Sequence, residues 1–158
     1  MSAASPRPDS IRFTKMNGAG NDFIVLDNRG YGFSDEELSF LAGRLCPRRT
    51  GIGADGLLAL NSAEGTDHDY RMRYFNADGS PATMCGNGAR CLARFALAMG
   101  VGWGELLVDS DAGAYRVDEG ERGRMQLHVD LPNEPVEVDP EARSDTGLEP
   151  DHPVYQVW

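Results

Sequence analysis

Lys15 is the only lysine in the sequence; every other base is an arginine. The 15 basic residues face 25 acidic ones, for a net charge of -10. That shortage of positive charge argues against the Lys and Arg clusters on which binding to phosphate backbones depends, so no nucleic acid partner is expected. No apolar run approaches the roughly 20 residues of a membrane-spanning helix, so no membrane partner is expected either. Residues 1–10 are polar, carry two prolines and have no apolar stretch after a basic start. They do not read as a secretory signal, and a disordered lead on a cytoplasmic protein is expected. The three cysteines, Cys46, Cys85 and Cys91, are an odd count, which argues against a disulfide framework. His68, His128 and His152 are scattered, none at metal-ligand spacing from a cysteine or carboxylate, so no metal is expected.

Glycine and proline punctuate what is present. Residues 11–13 and 23–27 bracket Asn17-Gly18-Ala19-Gly20-Asn21-Asp22, which reads as a loop because glycine and asparagine tolerate positive φ. Phe23-Ile24-Val25-Leu26 reads as a buried strand. Ser34 followed by Glu37 forms a capping-box pattern, opening a helix that carries Leu38, Leu41, Ala42 and Leu45 and stops at Pro47. Residues 56–60 read as a second buried strand. Residues 70–75 alternate, as a strand with one wet face would. Residues 76–81 form a turn cluster. A helix is expected from about Gly86 to Met99, with Cys91, Leu92, Phe95, Ala98 and Met99 on its apolar side. Its few charges, Arg90 and Arg94, suggest that sheet surrounds it. Residues 106–110, 114–117 and 125–131 read as three more strands, and 119–123 as a hairpin loop. Five prolines from Pro132 to Pro153, set among acids, lead us to expect that residues 132–158 are a linker and the start of a second domain that is largely absent. Residues 11–131 are expected to form the first domain.

The chemistry concentrates at Cys85-Gly86-Asn87-Gly88. A cysteine immediately before a helix meets the free N–H groups of the first turn. Those groups favour negative charge, and hence a thiolate, and can also hold a substrate carboxylate. Gly86 and Gly88 let a ligand approach the backbone, and Asn87 adds a side-chain donor and acceptor. Cys91, on the helix's apolar stripe, and Cys46, ending the earlier helix, read as core filler. Gly51-Ile52-Gly53-Ala54-Asp55-Gly56 fits a dinucleotide fingerprint in form. It follows Pro47-Arg48-Arg49-Thr50 rather than a strand and precedes no helix signal, so it does not read as a nucleotide site.

Four stretches in order carry a family resemblance. They are 13–23 (Phe13 through Asn21-Asp22-Phe23), Gly51-Ile52-Gly53-Ala54-Asp55, Phe75-Asn76-Ala77-Asp78-Gly79-Ser80 and Cys85-Gly86-Asn87-Gly88-Ala89-Arg90-Cys91. Over residues 12–131 the chain resembles the N-terminal half of the diaminopimelate epimerases. The resemblance implies an α+β fold of two similar domains, each a largely antiparallel sheet wrapped around a central helix. It implies cofactor-independent epimerisation of a small diamino diacid, L,L-diaminopimelate to meso-diaminopimelate, serving lysine and peptidoglycan precursor synthesis. Cys85 would be one of two acid/base thiols. Asn21 and Asn76 would bind the distal amino-acid end of the substrate, and Gly86 and Asn87 the carboxylate at the reacting centre. The family often has a polar, substrate-contacting residue where this chain has Gly56.

Inversion at carbon needs two groups on opposite faces, and in the family the second thiol lies in the second domain. The chain is therefore expected to be a half-enzyme, inactive alone, completed by a second-domain chain or working in a homodimer. Two other readings compete. One is a related racemase with the same thiol chemistry, acting for example on histidine. The other is a non-enzymatic binding fragment.

Overall fold

The computed structural model describes residues 8–128 and two short strands, Val136–Glu137 and Tyr155–Gln156. The elements from 8 to 128 are β1 (Thr14–Gly18), β2 (Asn21–Asp27), α1 (Asp35–Leu45), β3 (Gly56–Asn61), β4 (Tyr70–Asn76), β5 (Pro81–Ala82), α2 (Gly86–Ala98), β6 (Leu106–Asp109), β7 (Tyr115–Glu119) and β8 (Met125–His128). They form one sheet in the order β1-β2-β3-β4-β6-β7-β8, with β5 added on β4. The rungs β2–β3 and β4–β6 are parallel and the others antiparallel. Parallel neighbours need a crossover, and here each crossover is a helix: α1 links β2 to β3, and α2 lies between β4 and β6. The Val136–Glu137 and Tyr155–Gln156 strands pair antiparallel in a separate unit.

The two helices take opposite faces. α2 packs against β1, β2, β3, β4, β7 and β8, so the sheet curls around it, as expected for a central helix. Phe23, Val25, Leu58, Leu60, Tyr70 and Leu92 fill this inner core. On the outer face α1 packs on β3 and β4, burying Ile24, Leu26, Leu57 and Phe75 with Leu38 and Ala42. Strand side chains alternate between faces, so a strand covered on both sides reads as an unbroken apolar run. That is why Phe23-Ile24-Val25-Leu26 shows no alternation.

Helix α1 begins as the sequence suggests. The Ser34 side chain accepts from Glu37 N, and the Glu37 carboxylate accepts from Ser34 N at 3.0 Å. Three expectations need correction. Residues 17–22 are not a loop: β1 and β2 run through them as a hairpin, turning only at Ala19 (φ 52°) and Gly20 (φ 93°). Positive φ at both turn positions matches the strands' twist. β4's wet face is wet only in part: the Arg71 side chain stays 28% exposed, whereas Arg73, only 9% exposed, is held beside α1 by Asp35 (Nε to Oδ1, 2.9 Å) and Asp111. Met99 caps α2 and is 46% exposed, outside the apolar stripe assigned to it. The last strand is described from Met125 to His128; its expected extension to 131 lies outside the described residues, as do residues 1–7 of the lead and most of 132–158.

Candidate functional site

Strand register gathers the candidate residues at one end of the sheet. β2 and β3 run parallel, with Phe23 opposite Gly56, and β4 returns antiparallel, with Asn76 opposite Gly56. Asn21 at the start of β2, Gly56 at the start of β3 and Asn76 at the end of β4 therefore share that end. The N-terminus of α2 comes to the same place, because Asn87 Nδ2 donates to Asn21 Oδ1 at 2.6 Å. The helix sits close to the sheet: a Cβ on Gly18 of β1 would lie 2.8 Å from Cys91 Sγ, and one on Gly88 would lie 3.2 Å from Leu58 Cδ2.

Cys85 is the N-cap of α2, with extended backbone (φ -147°, ψ 112°), and Gly88 N donates to its sulfur at 3.4 Å. Gly86 and Asn87, the next two positions, have N–H groups with no acceptor inside the helix. The first turn of α2 holds no acidic residue, whereas α1 begins Asp35-Glu36-Glu37. α1 answers its own positive end with its own acids; α2 leaves that end open to an anion. Cys85 is half-buried, beside Tyr74, whose phenol is pushed up by burial first and by Cys85 second.

The other two thiols are in the cores. Burial pushes Cys46 up to about 11 and raises Cys91 as well. Cys91 belongs to the inner core and Cys46 to the outer one, as their spacing in the sequence suggested.

Asn21 is tied into a charged cluster on its other side. Its Nδ2 donates to Asp55 Oδ2 at 3.1 Å, and Asp22 N donates to the same oxygen at 3.1 Å. Arg48 grips both carboxylates, at 2.7 Å to Asp22 Oδ1 and 2.8 Å to Asp55 Oδ1, and Lys15 reaches Asp22 at 2.9 Å. The Arg48 hydrogen bond, followed by that of Lys15, holds the Asp22 carboxyl far below the usual carboxylate range. Asp55 is lowered by the amide of Asn21 first and the Asp22 N–H second. A carboxylate depressed on folding stabilises the fold above its unfolded pKa of about 3.9, and that contribution is lost as the pH falls towards the folded value. Thermal stability is therefore expected to decline below about pH 4, and less steeply in Asp22→Asn. Melting temperatures from pH 7 down to 2.5 check this; parallel profiles would contradict it.

Asn76 stands apart from the Asn21–Asn87 pair. Its side chain donates to Ser80 Oγ at 3.0 Å and its backbone N–H to Ser80 O at 2.8 Å, so its described bonds lie within its own turn. Gly56 has a packing reason: a Cβ there would lie 2.6 Å from Phe75 O and 2.6 Å from the Tyr74 ring. Backbone cannot swing aside as a side chain can, so Gly56→Ala is expected to destabilise by about 1–3 kcal/mol. Urea unfolding measures this, and an unchanged midpoint would refute the clash. The Gly51–Gly56 stretch spends two of its N–H groups on the end of α1, Gly53 N on Leu45 O at 3.1 Å and Ala54 N on Cys46 O at 2.9 Å, and a third, Asp55 N, on Asp22 O at 2.8 Å.

Sequence reasoning missed Arg90, whose guanidinium donates to Asn87 Oδ1, and the Asp55 partnership with Asn21. Both residues stood inside the motifs quoted above; Arg90 lies one helical turn from Asn87, but the partner of Asp55 is 34 positions away. Among the described residues no cluster of three or more His, Cys, Asp or Glu could hold a metal, and no helix is long and apolar enough to cross a membrane.

A sheet curled around a helix is a fold shared with other solved structures. The "Predicted Epimerase" of Pseudomonas aeruginosa superposes with a TM-score of 0.64 at 14% identity, over 92% of this chain and 55% of that one. A hydroxyproline epimerase of Agrobacterium vitis superposes with a TM-score of 0.55 at 13% identity, over 81% and 45%. Likeness at such low identity establishes the fold, one domain of the epimerase-type architecture. The family follows from sequence: the profile of the diaminopimelate epimerases matches residues 13–134, and the chain belongs to that family. The diaminopimelate epimerase of Aquifex aeolicus is 37% identical over 139 residues, covering 80% of this chain and 48% of the relative. The chain spans less than half the length of the curated relatives it matches, from 29% to 48% of the first four.

Proposed function

We propose that this chain carries one half of a diaminopimelate epimerase site, with Cys85 as one of two thiols that move the α-proton without a cofactor. The reading is carried by one observation: the half-buried thiol caps an acid-free helix N-terminus, beside Gly86 and Asn87, in a member of this family. The α-proton of an amino acid is weakly acidic, so the carbanion left by its removal needs strong stabilisation. A carboxylate bound by the Gly86 and Asn87 N–H groups accepts that charge against dipoles already in place. A thiolate takes the proton from one face, and a thiol opposite returns one to the other, inverting the carbon. Cys85 holds one of these positions. Asn21 and Asn76 bind the second amino-acid end, whose absence in other amino acids would leave these groups unpaired and so select against them.

The partner thiol is not Cys46 or Cys91, which are packed in the two cores. It comes from a second domain, on this protein's own longer chain or on a partner chain. Solvent-deuterium exchange at the α-carbons of L,L- and meso-diaminopimelate tests the proposal. With a second-domain chain from a relative added, exchange and epimerisation are expected. Neither appearing, although the two chains associate and diaminopimelate is bound, would sink the assignment.

A further inference from the structure

Four side chains form a hydrogen-bonded line across the candidate site. Arg90 donates to Asn87 Oδ1, Asn87 Nδ2 to Asn21 Oδ1 at 2.6 Å, and Asn21 Nδ2 to Asp55 Oδ2 at 3.1 Å. The two ends differ chemically from the middle. A guanidinium only donates and an ionised carboxylate only accepts, but an asparagine amide does both and can lie either way round. Two facing asparagines alone could be bonded in either direction. Here Arg90 requires an oxygen from Asn87, which leaves Asn87 nitrogen for Asn21 oxygen, which leaves Asn21 nitrogen for Asp55. The opposite direction would aim N–H groups at the guanidinium and a carbonyl oxygen at the carboxylate.

We propose that Asp55 and Arg90 are a pair of positioning residues that set the direction of the Asn21–Asn87 amides, and so the pattern of donors these turn to an amino-acid ligand. Each end is itself held. Arg90 lies one turn beyond Asn87 on α2. Asp55 is clamped by Arg48 at 2.8 Å and Asp22 N at 3.1 Å, and the Asn21 amide helps keep it ionised. Each asparagine then keeps one N–H for a ligand oxygen. The identity of that ligand rests on the proposed function; the direction of the line does not.

The test begins with the unaltered chain. In protein labelled with 13C and 15N, scalar coupling across the hydrogen bond is expected from the Asn87 side-chain nitrogen to the Asn21 Cγ. Coupling from the Asn21 nitrogen to the Asn87 Cγ, or doubled amide signals for both residues, overturns the proposal. Asp55→Asn and Arg90→Gln each make one end ambivalent while the other still sets the direction, so each is expected to keep one set of signals. The double variant is expected to show two sets; a folded double variant with a single set overturns the proposal. If that variant does not fold, the coupling in the unaltered chain decides alone. Diaminopimelate affinity, with a second-domain chain present, is expected to fall about 3-fold in each single variant, as for one weakened hydrogen bond. In the double variant it should fall by more than the product of the two. Forward coupling without any diaminopimelate binding would leave the positioning pair standing and remove the proposed function.

Discussion

Cys85→Ala is expected to slow α-proton exchange into diaminopimelate by about 100- to 10,000-fold, the range a positioned acid or base contributes. The assay is run with a second-domain chain present, where the unaltered chain is expected to exchange. Alanine also removes the sulfur that caps Gly88 N, which alone can cost helix stability of about 1 kcal/mol. Cys85→Ser separates the two effects. Serine is among the preferred N-cap residues, so α2 should begin at least as well, and unfolding by urea should show no loss. The serine hydroxyl is a far weaker acid than a thiol, so exchange should still collapse. A serine variant that folds normally and exchanges at the original rate would remove Cys85 from the chemistry. Cys91→Ser gives the contrast: it places a hydroxyl in the inner core against β1, where Cys91 Sγ sits 2.8 Å from the space a Gly18 Cβ would need, so stability should suffer before exchange does.

How much of this was legible in sequence depends on how far each signal reaches along the chain. The α1 capping box, the α2 start and the buried strand at Phe23 are local patterns, and all appear where expected. The hairpin turn at Ala19–Gly20 was mistaken for a longer loop because glycines and asparagines look alike in a loop and in a tight turn. Arg73 looked solvent-facing because alternation reports two faces but not what covers them, and α1 with Asp35 supplies the cover. The mixed character of the sheet was out of reach as well: its parallel rungs follow from which strands become neighbours across each helical crossover, a pairing between distant segments. At the site, Cys85, Gly86 and Asn87 are adjacent in sequence and were readable together, while the Asn21–Asn87 bond spans 66 positions and the Asn21–Asp55 bond 34. Only folding brings those partners within reach.

Leu92→Ala is expected to have a large effect on stability. Leu92 is fully buried between the sheet's inner face and the helix, in the core that includes Phe23, Leu58 and Tyr70. Removing its side chain forfeits transfer energy and leaves a cavity that a sheet curled around a helix cannot easily collapse, a cost of about 2–5 kcal/mol. Folded domains have about 5–15 kcal/mol in total, so urea unfolding should show a large drop in midpoint. Phe40→Ala is the control: Phe40 is 67% exposed on α1, and a surface truncation should stay within about 0.5 kcal/mol. The loss at Leu92 should also reach the site. Leu92 lies on the helix that carries Asn87 and caps with Cys85, so a helix that settles into the cavity moves both away from Asn21. Weaker ligand binding should therefore accompany the lower stability at temperatures where the variant is still folded. Equal midpoints for Leu92→Ala and Phe40→Ala would mean that the sheet does not close on α2, and the account of how this site is held would fall with it.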